Sequence, residues 1–162
     1  MFSYPVIDQS EPSLGKSVGI TFQHALAFVE IRAASEVLEG QVIIIKSASI
    51  NGLMSSGEFQ SSPEPYWIPG GTTTEFSFCK SDIELNFDSI SLGEARRMIP
   101  QTADIAVDLV IDVYDRDGNL IESGHSVRTN SLHVVWNVGR MYVYTVKLSE
   151  TEATLGVEML DL

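Results

Sequence analysis

Hydrophobic and polar residues alternate with a period of two along most of this chain. Val18, Ile20 and Phe22 show the pattern near the N-terminus, residues 42–50 resume it, and residues 106–113 form an almost continuous apolar run. Such patterns are typical of β-strands. The phase of the alternation changes between Phe22 and Val29. His24, Leu26 and Phe28 are therefore predicted to lie at the seam of two strands, with Leu26 buried.

Glycine, proline and asparagine divide these runs into short elements. Asn51-Gly52 is predicted to end a strand, because both residues suit positive φ angles. Pro63, Pro65 and Pro69 flank Tyr66 and Trp67, so this segment is predicted to be a loop or at most an edge strand. Trp136 is predicted to pack in the core, and residues 137–139 to turn the chain into the strand that follows.

Many short strands with turn signals between them, and no long stretch of helical spacing, favour an all-β fold. The arrangement that buries one face of each strand is a two-sheet β-sandwich. Residues 1–16 carry Pro5, Pro12 and Gly15 among polar residues and are interpreted as an N-terminal lead-in segment. Residues 17–162 are then expected to form a single domain, since 162 residues suit one core.

The charge balance narrows the choice of partners. Ten basic and twenty-two acidic residues give a formal net charge of -12. A field of this sign repels phosphate backbones, so nucleic acid is not an expected partner. No apolar run approaches the roughly 18 residues of a membrane span. The N-terminus shows no signal peptide or lipid-anchor cysteine, so an exported protein would have to be longer than this chain.

Residues with the chemistry for catalysis or metal binding are present but lack the context for it. Cys79 follows an apolar stripe and is expected to be buried. The three histidines, His24, His125 and His133, stand outside any nucleophile-elbow motif and are interpreted as structural or surface residues. We therefore expect no enzyme and no cofactor.

One acidic segment invites a calcium assignment. It contains Asp112, Asp115, Asp117, Asn119 and Glu122, but Gly118 directly follows Asp117, which differs from the spacing of an EF-hand loop. A hairpin turn explains the Asp-Gly-Asn sequence without a metal. An irregular calcium site built from several loops stays as the alternative.

Tyr66 and Trp67 carry the candidate ligand contact. Their position between prolines and glycines allows a sugar-stacking platform, although packing in the core or on a sheet face is the favoured explanation for large aromatic side chains on strands. A second candidate site lies in the tail, where Leu155, Val157 and Met159 present one apolar face. The tail either packs on its own sheet, which a short polar connection favours, or serves a neighbouring chain as a donor strand.

Four local motifs occur in a familiar order. They are residues 20–27 (ITFQHALA), residues 45–53 (IKSASINGL), residues 98–101 (MIPQ) and residues 136–146 (WNVGRMYVYTV). In this order the sequence resembles the fimbrillin-like (Mfa-like) family of fimbrial and surface proteins of Gram-negative anaerobes.

The resemblance implies a transthyretin-like, Greek-key β-sandwich that is exported and assembled into fimbriae or displayed on the outer membrane. Members usually carry a lipoprotein signal and two such domains, whereas this chain has no lipobox cysteine and length for one domain. The implied function is a non-catalytic structural or adhesive module. Its expected partners are other fimbrial or surface proteins, a second copy included. Binding of a carbohydrate or host ligand through the Tyr66/Trp67 loop is the alternative.

Overall fold

The chain folds into β-strands throughout the part that the computed structural model describes, which comprises residues 2–3, 22–36, 40–61, 63–79, 82–149 and 152–161. These residues contain no helix. In chain order the strands are β1 (Phe2–Ser3), β2 (Phe22–Gln23), β3 (Ala27–Ser35), β4 (Gln41–Gln60), β5 (Tyr66–Ser77), β6 (Ile83–Glu84), β7 (Ile90–Ser91), β8 (Arg96–Met98), β9 (Thr102–Ile105), β10 (Val107–Asp115), β11 (Leu120–Arg128), β12 (Leu132–Val135), β13 (Arg140–Leu148) and β14 (Ala153–Asp161).

The first large sheet is antiparallel and has the strand order β11-β10-β4-β5, with the short β6 also pairing with β4. The tight turn predicted after β10 joins it to β11. There the side chain of Asp115 accepts hydrogen bonds from the backbone N–H groups of Asp117 and Asn119. β11 and β5 form the edges of this sheet.

The second large sheet has the order β14-β13-β3, and β7 and β8 pair with β3 along its other side. β13 runs antiparallel to β14 but parallel to β3, from Met141 opposite Phe28 to Leu148 opposite Ser35. A parallel pair needs a long crossover connection. Here the connection between β3 and β13 contains every strand of the first sheet.

The two sheets enclose one hydrophobic core. Alternate residues of β4 and β10, including Ile45, Ile50 and Val107, are fully buried, as are Val29 and Tyr144 of the second sheet. The prediction of an all-β, two-sheet sandwich is therefore confirmed. The transthyretin-like and Greek-key description stays a prediction.

Several local predictions are confirmed, and two are wrong. Trp136 is buried, Gly139 has a φ of 67° at the predicted turn, and Cys79 is buried. A break separates β2 from β3, as expected, but Leu26 at this break is only half-buried. Its neighbours Ala25 and Ala27 are buried instead. The residues that face the core are therefore the odd-numbered ones here, and not the even-numbered ones as predicted.

The second wrong prediction concerns the end of β4. Asn51-Gly52 does not end the strand, which continues to Gln60. Gly52 has a φ of 80°, and the register with β5 shifts between Ile50 and Leu53. The dipeptide therefore forms an irregularity inside one long strand, because β5 continues to pair with β4 beyond it.

The predicted N-terminal lead-in, residues 1–16, lies outside the described residues except for Phe2 and Ser3, which pair with β2. The expectation of a single domain for residues 17–162 stays a prediction. Within the described ranges, the structure contains no helix that is both long and apolar enough to cross a bilayer.

Candidate functional site

A long hairpin arm carries the first candidate site. It consists of the second half of β4 and the first half of β5, residues 51–74, and most of its side chains are exposed. Gly57 makes the hairpin possible where it meets Pro69, since a Cβ atom at Gly57 would lie 2.7 Å from the carbonyl oxygen of Ile68. The predicted edge strand at Tyr66 and Trp67 is therefore present, as the start of β5.

Two contacts fix this arm to the sandwich. The indole N–H of Trp67 donates a 2.6 Å hydrogen bond to the carbonyl oxygen of Ala25. The Trp67 ring also packs against the Phe59 ring, with 5.3 Å between the ring centroids. On β4, the backbone N–H of Met54 donates to Oε1 of Gln101, and Nε2 of Gln101 donates back to the carbonyl oxygen of Met54. Gln101 is itself buried, so its amide acts as a two-pronged clamp.

A buried aromatic cluster of Trp136, Tyr142 and Tyr144 lies in the sandwich next to the arm. The indole N–H of Trp136 donates a 2.8 Å hydrogen bond to the hydroxyl of Tyr144, and the Tyr142 hydroxyl donates to the carbonyl oxygen of Val135. The backbone N–H of Asn137 in turn donates to Tyr142. Burial raises the pKa of Tyr144 to about 12, although the hydrogen bond from Trp136 lowers it in part.

Between the arm and this cluster lies a cleft of about 270 Å³, which we call the arm cleft. It is lined by side chains from three separate segments: Pro65, Tyr66, Trp67 and Pro69 of the arm, Pro100, Gln101 and Thr102 before and in β9, and Trp136, Asn137 and Val138 before β13. None of these ten residues is charged, and both tryptophans of the chain are among them. The arm cleft is thus an uncharged and partly aromatic site.

The second candidate site is the tail, which the structure pairs with β13 of its own chain. Ala153 and Leu155 are buried, whereas Val157 and Met159 are 52% and 59% exposed. These two residues lie opposite the buried Tyr144 and Tyr142, so they share the inner face of the sheet. The first sheet does not cover them. The outer half of β14, residues 157–161, therefore presents an uncovered apolar strip.

Within the described part of the chain, one side-chain contact reaches the outer edge of β14. The backbone N–H of Leu155 donates a 2.7 Å hydrogen bond to Oδ1 of Asn130, a residue that follows β11. Beside this contact, an open groove of about 390 Å³ separates β11 from the β13–β14 connection. Its apolar walls come from both sheets: Ile43, Ile111, Val113, Ile121, Val127 and Leu148. The sandwich is thus open between β11 and the β13–β14 connection.

Comparison with solved structures identifies proteins of the same fold. A fimbrial protein from Bacteroides vulgatus matches with a TM-score of 0.64 at 15% identity, over 95% of this chain and 59% of that chain. A candidate cell adhesion protein from Bacteroides uniformis matches at 0.58 and 16%, over 89% and 53%. A candidate cell adhesion protein from Parabacteroides distasonis matches at 0.52 and 10%, over 85% and 52%. The chain has the fold of these three proteins.

This shared fold agrees with the resemblance inferred from the four sequence motifs. The chain spans little more than half of the length of each of these three solved structures. No protein-family model matches the sequence, and the comparison with curated proteins also gives no match.

The four motifs meet at the base of the arm. The carbonyl oxygen of Leu26, in the first motif, accepts a hydrogen bond from the backbone N–H of Gly139 in the fourth motif. The backbone N–H of Trp136, also in the fourth motif, donates to the carbonyl oxygen of Gln101 in the third. Gln101 then holds Met54, which directly follows the second motif. The motifs therefore mark the framework of the arm cleft. Gln101 and Asn137 were not predicted as site residues, although both lie inside the motifs.

The residues considered for catalysis and calcium binding have structural contacts. His24 stacks edge-on against Phe28, His125 pairs with Glu122, and His133 pairs with Asp104. Asp112 accepts hydrogen bonds from the N–H of Gly124 and the hydroxyl of Ser123, and these bonds lower its pKa. Among the described residues, no group of three or more His, Cys, Asp or Glu side chains is arranged to hold a metal ion.

Proposed function

We propose that this chain is a non-catalytic structural or adhesive module of the bacterial cell surface, which associates with other surface proteins or a second copy through its strand edges. The fold supports the first part, because a fimbrial protein and two candidate cell adhesion proteins share it. The same proposal includes the expectation that the chain has no enzymatic activity and binds no cofactor.

The observation that carries the association is the uncovered half of β14. Val157 and Met159 expose apolar side chains on the inner face, and among the described residues no strand pairs with the outer edge of β14. An exposed strand edge is a template for pairing with another strand. Leu155, by contrast, is buried in its own core, so of the three proposed donor-strand residues only the outer two are available to a partner in this conformation.

The test replaces this strip and leaves the rest of the strand unchanged. We expect the wild-type chain to form concentration-dependent oligomers in sedimentation velocity, and the Val157→Lys/Met159→Lys variant to stay monomeric. Leu160→Lys is the matched control, because Leu160 is 40% exposed on the other face of the same strand. A wild-type chain that is monomeric at every concentration contradicts the self-association. Loss of oligomers in Leu160→Lys as well contradicts the assignment to the inner face.

A second candidate function, the binding of a carbohydrate or another host ligand, is favoured by the arm cleft. Tyr66 and Trp67 do not lie in an isolated loop but form one wall of a preformed concave site. Concave sites with aromatic walls and a few polar groups are the usual form of small-ligand sites. A glycan array of the purified chain, with and without Tyr66→Ala, tests this function independently of oligomerisation.

A further inference from the structure

We propose that the arm cleft binds a single neutral sugar ring and that Tyr66, Thr102 and Asn137 contact it, whereas Trp67 is a structural anchor. This inference rests on the second candidate function and specifies its ligand class and its residues. It is carried by three properties of the cleft: the bonding state of its polar groups, its charge and its size.

The hydrogen bonds divide the lining residues into two groups. The indole N–H of Trp67 is bound to Ala25 and that of Trp136 to Tyr144, while the Gln101 amide is bound to Met54 and Ile99. These three polar groups build the site and are not available to a ligand. Tyr66, Thr102 and Asn137 are the lining residues that combine an exposed side chain with a hydroxyl or amide group. Nδ2 of Asn137 also donates a 3.5 Å hydrogen bond to the Tyr142 hydroxyl, which occupies one of its two amide N–H groups.

The chemistry of this second group matches a sugar. Hydroxyl and amide side chains both donate and accept hydrogen bonds, as the hydroxyls of a pyranose ring do. Tyr66 is 46% exposed and adds an aromatic surface for the apolar face of the ring. A proline-rich peptide is the competing ligand for an aromatic groove. Both indole N–H groups of this cleft are already bound within the protein, so the backbone carbonyls of a peptide would have to use the same Tyr66, Thr102 and Asn137 donors, and the titration below distinguishes the two ligands.

The charge of the site selects among sugars. No lining residue is charged, and the exposed Glu64 lies directly beside Pro65 at the cleft. The whole chain has a formal net charge of -12. A carboxylated or sulfated sugar would meet a repulsive field without a cation in the cleft to offset it. The geometry thus favours a neutral hexose over an acidic one.

The size of the site sets the length of the ligand. The volume of about 270 Å³ lies just below the usual range of pockets for drug-sized molecules, roughly 300–1,000 Å³. One ring fits this space, and further rings of an oligosaccharide would extend into solvent. Methyl glycosides are therefore sufficient probes.

Both tryptophans of the chain line the arm cleft, so the two indole N–H signals in ¹⁵N NMR spectra report on it directly. The probes are the methyl glycosides of glucose, galactose, mannose and N-acetylglucosamine, the methyl glycoside of sialic acid, and a proline-rich peptide. We expect at least one neutral glycoside to shift the indole signals saturably, and the sialic acid and the peptide to leave them unchanged.

The variants locate the site. We expect Tyr66→Ala to weaken the affinity about tenfold, as the loss of one stacking contact implies, and Asn137→Ala to weaken it by a smaller factor. Ile68→Ala is the matched control: Ile68 is also 46% exposed, lies two residues further along β5 and does not line the cleft. It should bind as the wild type does. Trp67 is unsuitable for this test, because its loss also releases the arm.

Any outcome that differs from these expectations overturns the inference. Tighter binding of sialic acid contradicts the neutral ligand, binding of the peptide contradicts the sugar class, and an equal loss in Ile68→Ala contradicts the location. If no glycoside shifts the indole signals, the arm cleft is not a sugar site. The association through β14 is measured separately and stands or fails by its own experiment.

Discussion

The two halves of β4 have the same backbone conformation but are held in place in different ways. The first half, up to Ile50, lies between β10 and β5 or β6 and buries Ile43, Ile45, Ala48 and Ile50 in the core. The second half forms the arm, and of its side chains only Leu53 is buried.

Different forces therefore stabilise the two halves. The first half is stabilised by many apolar contacts, each of which contributes little free energy. The loss of any one contact therefore leaves its position unchanged. The position of the arm depends on the Gln101 clamp, the Trp67 anchor and the one buried side chain, Leu53. A functional cleft beside such an arm can be altered by single residues without unfolding the sandwich. The following variants test this contrast, from the largest expected effect to the smallest.

Removal of Trp136 should damage the core that both halves share. We expect Trp136→Ala to lower the free energy of unfolding by about 3 to 5 kcal/mol, because the ring is buried and its loss leaves a cavity. Denaturant titration measures this change. The adjacent Val135 is 53% exposed, so Val135→Ala serves as the control and should change stability by less than about 0.5 kcal/mol. Equal effects of the two substitutions would contradict the buried cluster.

The buried hydroxyl of Tyr144 should make the core sensitive to alkali. Its pKa is about 12 in the folded chain, above the value of about 10 in an unfolded chain. The neutral hydroxyl contributes full stability below pH 10, and this contribution declines as the pH rises toward 12. The total loss is on the order of 2 to 3 kcal/mol.

Unfolding of wild type and Tyr144→Phe between pH 9 and pH 12 measures this difference. We expect the wild type to lose stability more steeply, because phenylalanine has no proton to release on unfolding. The substitution also leaves the indole N–H of Trp136 without its acceptor, so Tyr144→Phe should start from a lower stability near neutral pH. Parallel curves for the two proteins would contradict the raised pKa.

Loss of the clamp should release the arm and spare the core. Gln101→Ala removes two hydrogen bonds to Met54 and one to Ile99, at a cost of about 1 to 3 kcal/mol. In hydrogen exchange we expect the Met54 amide to lose protection, while Ile45 keeps it. Gln60→Ala, on the same arm, removes only a bond to Glu58 and is the control. Uniform loss of protection would show that arm and core unfold together.

The smallest expected effect belongs to the Trp67 anchor. Trp67→Phe keeps an aromatic ring against Phe59 but removes the donor to Ala25, at a cost of about 1 kcal/mol. Tyr66→Phe removes one exposed hydroxyl from the neighbouring residue and should change stability by less than about 0.5 kcal/mol. Thermal unfolding compares the two variants. A larger effect for Tyr66→Phe would reverse the roles assigned to these residues.

The sequence by itself determined the features that depend on neighbouring residues. Alternation identified the first half of β4 at residues 42–50 and the strand β10, and the Asn-Val-Gly segment at residues 137–139 marked a turn whose φ at Gly139 is 67°. The burial of Trp136 and Cys79 also follows from local pattern, because large or apolar residues on a half-buried strand have few other places to go.

Only the tertiary structure decided which distant segments meet. Asn51-Gly52 suits either a turn or a bulge, and the continued pairing with β5 selected the bulge. The parallel contact of β3 with β13 and the clamp between Gln101 and Met54 join residues far apart in sequence. The arm cleft likewise combines three segments, each unremarkable alone. A local pattern reports which face of a strand is buried, whereas the partner that covers this face is selected by the packing of the whole chain.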